Sequence, residues 1–181
     1  MNDHLREFTY VEEQVGSICL ACGLCCNGVL HAYAVIDADD VERVTSLDLP
    51  VETFGTQLVF RQPCPLYHEQ KCSAYANRPR VCQGYRCKLL KELHSGAVAL
   101  EQVAQLVEGA HKIHADVVAQ LPAGYLFAQL WQDLDRDYDS GRGLFGSLEQ
   151  RQTNAPLLLN VGILRFYLDR HFGRTRGGKS E

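Results

Sequence analysis

The stretch "ICLACGLCCNG" places Cys19, Cys22, Cys25 and Cys26 within eight residues, and "CPLYHEQKCSAYANRPRVCQGYRC" adds Cys64, Cys72, Cys82 and Cys87. All eight cysteines of the 181-residue chain lie between positions 19 and 87. Thiols this crowded must either pair as disulfides or bind something soft. The opening "MNDHLREFTYVEEQ" carries acids and no apolar run, unlike a secretory signal. No stretch reaches the ~20 apolar residues that span a bilayer. A cytoplasmic, non-membrane address is therefore the default expectation. In a reducing compartment eight clustered thiols read as metal ligands. Export would make four disulfides the competing account.

Cys19-x-x-Cys22-x-x-Cys25 sets three thiols at equal steps on one short loop. Gly23 and Gly28 permit the positive backbone angles that such a wrap often needs. Amides of such a loop can donate hydrogen bonds to bound sulfur. The spacing occurs in ferredoxin-type iron–sulfur loops, where a Cys-Pro follows. Here Cys26 follows at once, and Cys64-Pro65 comes later. Four-cysteine zinc sites usually draw on two shorter pairs, and Cys82-x-x-x-x-Cys87 is longer than most. The even spacing favours an iron–sulfur cluster over Zn2+, with both kept open. Adjacent side chains diverge, so Cys25 and Cys26 are poorly placed to share an ion. One of them could serve a second centre or act as a free thiol.

Beyond Cys87 the composition changes: Pro122 and Pro156 are the only prolines after Pro79. Val103, Leu106, Val107, Ala110, Ile113, Val117 and Leu121 recur at helical steps, predicting a helix from Leu100 to Leu121 ended by Pro122 and Gly124. A second helix, apolar on most sides, is expected from Pro156 to Phe172. "DRDYDSGRG" between them reads as a loop. In the cysteine half, residues 29–36 and 57–60 read as strands. Asp37 reads as the N-cap of a short helix with Val41, Val44 and Leu47 inward. Arg78-Pro79 should open a short helix or turn carrying Cys82. The expected fold is α+β: a small irregular cysteine-rich half with short strands, over 1–95, packed against a helical half, over 96–172. A disordered basic tail is expected over 173–181.

Other polar groups are weaker candidates. His111 and His114 stand three apart on the long helix, but no third ligand is suggested by spacing, and His114 reads as a core histidine. Arg78 is expected to frame the turn that aims Cys82, or to face sulfur charge. Tyr75 should pack beneath that turn. The acids at 133, 135, 137 and 139 lack a calcium loop's glycine and glutamate and read as a solvated stretch. With a net charge of −4 the molecule is not built to coat nucleic acid.

Together, "CLACGLCC", "CPLYHEQKCSAYANRPRVC" and "QGYRC" resemble the C-x-x-C-x-x-C-C family of zinc- or iron-chelating domain proteins. Cys19, Cys22, Gly23, Cys25 and Cys26 match its first element. Cys64, Pro65, Cys72, Tyr75, Arg78, Pro79, Cys82 and Tyr85 match its second. Cys87 looks like an addition found in part of the family, and Gln83 stands where Arg is common. The resemblance implies chelation over about residues 17–95. One branch resembles flagellin lysine methylase, but no glycine-rich nucleotide loop is present here, so methyl transfer is not carried over.

All eight cysteines are therefore candidate metal ligands, and no catalytic residue is identified. The first functional reading is a metal centre that organises the fold and supports a protein partner. The alternative is an iron–sulfur redox or protein-modifying enzyme using the cluster or a thiol such as Cys26. On the first reading, metal removal should disorder residues 17–90 and spare the long helix.

Overall fold

The computed structural model describes residues 16–173. Beyond Gly173, the expected basic tail lies outside the described residues. The described residues form an α+β fold in which helices dominate and small antiparallel sheets sit in the cysteine half.

Helix α1 (16–22) carries the first two cysteines and gives way to a turn through Cys25 and Cys26. Strands β1 (Tyr33–Ile36), β2 (Glu52–Phe54) and β3 (Gln57–Arg61) form a sheet in the order β1-β3-β2. Both pairings are antiparallel, with Ile36 opposite Leu58 and Phe54 opposite Gln57. A short helix α2 (Val41–Ser46) closes over one face. Ile36, Val44, Leu49 and Phe60 are the buried centre of this small core. Strands β4 (Tyr67–His68) and β5 (Lys71–Cys72) make a separate hairpin, followed by α3 (Arg80–Gly84) and α4 (Lys88–His94).

Helix α5 (Leu100–Val118) packs along α8 (Ala155–Phe172), with α6 (Phe127–Ser140) and α7 (Leu148–Thr153) between them in sequence. The apolar stripe of α5 buries Val103, Ala110 and Val117. Leu157, Val161, Leu164, Leu168 and Phe172 answer it from α8. The helices approach closely where Gly109 faces Tyr167, whose hydroxyl donates to the Leu106 carbonyl at 3.1 Å. This larger core also takes Leu24, Val29, Leu30, Leu89 and Leu90 from the cysteine half. The cysteine segments are therefore laid directly onto the helices. No helix among the described residues is long and apolar enough to cross a membrane.

Several local expectations need correction. The strand expected over 29–36 begins only at Tyr33. Val29 and Leu30 turn into the larger core instead, where the Val29 carbonyl accepts from Trp131 Nε1 at 3.2 Å. The helix expected after Asp37 starts as a 3-10 turn over Ala38–Asp40, and Asp37 makes no side-chain cap. The stretch "DRDYDS" is not a loop but the second half of α6, which ends where Gly141 takes a φ of 67°. Its acids obscured an apolar stripe, Phe127, Leu130, Trp131 and Leu134, at helical spacing. Nor is that acidic run wholly solvated. Asp137 is buried beside Arg136, and Asp133 accepts a 2.6 Å bond from the Tyr125 hydroxyl.

Candidate metal centre

The first cysteine loop is held by its own backbone. The Gly23 amide donates to the Cys19 carbonyl at 3.2 Å, and the Asn27 amide donates to Gly23 at 2.9 Å. The Leu30 amide reaches back to Leu24, also at 2.9 Å. Gly23 has a φ of 60°, a left-handed conformation that side chains resist. A Cβ there would also overlap the hydroxyl and ring of Tyr67, so the β4–β5 hairpin lies tight against the loop. Side chains at Leu24 and Val29 are fully buried, which anchors the loop to the helical core on either side of Cys25 and Cys26.

The second segment meets the first through its backbone. The Cys64 amide donates to the Cys26 carbonyl at 2.7 Å, and the Tyr67 amide then donates to Cys64 at 2.9 Å. Cys72 lies on β5, directly opposite Tyr67. Cys82 lies on α3, whose first-turn amide, at Arg80, is accepted by Asp40 Oδ2 at 2.7 Å. Cys87 immediately precedes α4.

Arg78 and Tyr75 form the frame expected of them. The Arg78 guanidinium stacks 3.9 Å over the Tyr75 ring and donates to the Tyr75 carbonyl at 2.6 Å. The Tyr75 hydroxyl donates to Gly16 at 3.0 Å, tying this turn to α1. Gln83 donates its side-chain amide to the Arg78 carbonyl at 2.6 Å, filling the place where the resemblance led us to expect Arg. Arg86 is held by the Gln83 and Tyr85 carbonyls.

All eight cysteines line one cavity of about 1520 Å³. Its wall also includes His31, Tyr67, Tyr85 and Arg86. His31 and Arg86 carry no recognisable motif; only their nearness to the cysteine segments could have pointed to them. The Tyr85 ring meets His31 edge-on at 5.0 Å. The thiols line this chamber without closing on a point: among the described residues, no three His, Cys, Asp or Glu side chains sit at single-ion spacing.

Burial governs the acidity of these thiols. It pushes Cys22 up to about 12, with the Leu24 amide pulling the other way and the charges of Cys87, Cys19 and Cys26 adding to the rise. Burial and the charges of Cys64 and Cys72 likewise raise Cys26 to about 12. Cys82 rises to about 12 through burial and then through Cys26, Cys64 and Cys72. Cys25 is driven well above the usual thiol range, chiefly by burial. Burial also raises Cys19, but Arg86 and Arg78 oppose it. Thiolates here need a positive partner, which a bound metal supplies.

Residues 18–104 match the family model CxxCxxCC, described as "Putative zinc- or iron-chelating domain". This segment belongs to the CxxCxxCC family. The matched span includes all eight cysteines. Comparison with curated proteins and with solved structures gave no match. The CxxCxxCC segment is thus a metal-binding cysteine-cluster domain, and its partly buried thiols have the donor chemistry that soft metals require.

His111 and His114 stand apart from the cysteine-lined cavity. The His114 ring meets Phe127 edge-on at 4.3 Å, and its Nε2 is buried with no hydrogen-bond partner. Burial, helped by His111, lowers it to about 4. It is a half-buried histidine packed against Phe127 rather than a satisfied core histidine.

Proposed function

We propose that the CxxCxxCC domain holds iron as an iron–sulfur cluster, and that this metal organises the cysteine half of the fold. The observation that carries the reading is the cavity of about 1520 Å³ lined by every cysteine of the chain. Thiols that line a chamber without meeting at single-ion spacing suit a polyatomic group better than one zinc ion, which would require its four sulfurs to close around it. The evenly spaced Cys19, Cys22 and Cys25 support the same choice.

Bound clusters supply iron–thiolate bonds and a one-electron redox capacity. The protein's own contribution is to aim the sulfurs and balance their charge. Gly23 lets the loop wrap, while the Leu24 amide favours the Cys22 thiolate and the Leu66 amide that of Cys64. Arg78 and Arg86 place positive charge beside Cys19. Leu24, Leu30, Leu89 and Leu90 exclude water from the helical side.

Anaerobic purification followed by iron, acid-labile sulfide and zinc analysis tests the proposal. Iron with a matching amount of sulfide and a broad visible absorption is expected. Zinc without sulfide would overturn the cluster reading. Saturation with neither metal would overturn metal binding itself.

A further inference from the structure

We propose that the eight cysteines divide into two separate metal centres, Cys19, Cys22, Cys25 and Cys87 holding one and Cys26, Cys64, Cys72 and Cys82 the other. The inference rests on the metal-binding reading above and adds to it the number of centres and the ligands of each.

Packing draws the division. Cys19, Cys22, Cys25 and Cys87 pack with the larger, helical core. Cys64 and Cys82 pack against the smaller core of Ile36, Val44, Leu49 and Phe60. Backbone hydrogen bonds place Cys26 with the second set, through Cys64. Cys72 joins it through the hairpin, in which Tyr67 bonds back to Cys64 and pairs with Cys72. Cys87 reaches the first set because α4 buries Leu89 and Leu90 in the larger core.

Tyr67 stands between the two sets, against Gly23 of the first loop and opposite Cys72 on the hairpin.

Each set has four thiols, the complement of a cubic or two-iron cluster. The adjacent pair then has a reason: neighbouring side chains diverge, so Cys25 and Cys26 can serve centres on either side of one peptide. In two-cluster ferredoxin loops the fourth cysteine of the run similarly ligates the other cluster. Here that crossing occurs with no spacer, which fixes the two centres side by side.

Native mass spectrometry of the anaerobically reconstituted full chain counts centres directly. Two metal centres per chain are expected at saturation, and a single centre would overturn the division while leaving metal binding intact. A chain that takes up no metal would overturn both. The paired variants Cys25→Ser with Cys87→Ser, and Cys72→Ser with Cys82→Ser, test the ligand sets. Each should lose half of the bound metal and keep the other half with its own absorption or paramagnetic signature. Loss of all metal from either variant, in protein whose far-ultraviolet spectrum remains native, would show a single shared centre. If a variant does not fold, the count on the unaltered chain still decides.

Discussion

The amide of Cys64 donates to the carbonyl of Cys26 across 2.7 Å, joining two segments separated by 37 intervening residues at the point where the first cysteine run ends. This contact aligns the β4–β5 hairpin against the loop, and Tyr67 completes it by filling the space that Gly23 leaves empty. The loop and hairpin therefore depend on each other's shape.

Gly23→Ala should damage the site in two ways. The φ of 60° costs about 1 kcal/mol for a residue with a Cβ, and the overlap with Tyr67 adds to it. We expect a loss of about 2 kcal/mol or more in chemical denaturation, together with weaker metal retention against a chelator. Because the overlap is with the tyrosine ring, Gly23→Ala combined with Tyr67→Ala should recover part of the retention lost by the alanine alone. Purely additive effects in that double-mutant cycle would show that the Tyr67 contact does not govern the loop.

Asp40 is buried at 2% exposure and accepts the Arg80 amide at the start of the helix that carries Cys82. Its carboxylate stabilises that helix start as an N-cap does, and such contacts are worth about 1 kcal/mol. Asp40→Ala should lower stability by about 1 to 2 kcal/mol and speed metal loss. Asp40→Asn retains an acceptor oxygen and should be milder on both counts. Equal damage from the two substitutions would assign the effect to charge rather than to the cap.

Much of this arrangement was legible in the sequence because its causes are local. Arg78-Pro79 did open the helix bearing Cys82, and the α5 and α8 periodicities predicted their buried faces. Less visible were features set by contacts distant in the chain. Asp40 belongs to the 3-10 turn before α2, yet it serves a helix 40 residues later. Val29 and Leu30 have the composition of a strand, but Trp131 and the helical core claim them first. The acids of α6 disguised an amphipathic helix whose buried Asp137 no local pattern predicts. Cysteine spacing pointed to the candidate donors, and packing supplies the proposed division between them.

His114 gives the helical half a pH dependence. Its ring is lowered from 6.5 to about 4, first by burial and then by His111. Between those values only the unfolded chain takes up a proton, so this contribution is complete above pH 6.5 and is lost as pH falls through about 4. The shift corresponds to at most about 3 kcal/mol, and partial exposure reduces it to about 1 to 2 kcal/mol. His114→Leu should flatten the fall in stability between pH 6.5 and 4 relative to the parent chain. Urea titrations at both ends of that range, with both proteins fully loaded or both stripped, measure the difference. Parallel pH profiles would show that His114 titrates normally in the folded protein.

Metal removal should loosen the chain unevenly, along the boundary between the two cores. Among the described residues, the buried apolar side chains of the smaller one are Ile36, Val44, Leu49 and Phe60. Four such side chains contribute on the order of 10 kcal/mol, whereas ordering the several tens of residues around them costs several-fold more. Strands β1 to β3, the β4–β5 hairpin and α3 should therefore lose amide protection first. The first cysteine loop should respond less than its spacing suggested, because Leu24, Val29 and Leu30 are buried against the helices and Trp131 holds the Val29 carbonyl. Helices α5 and α8 should keep their protection, since most of the core they share is built from their own apolar stripes. Hydrogen exchange on loaded and stripped protein distinguishes these zones. Uniform loss would show one cooperative unit. Early loss over 24–30, ahead of the sheet, would show that metal rather than the helical core holds the first loop.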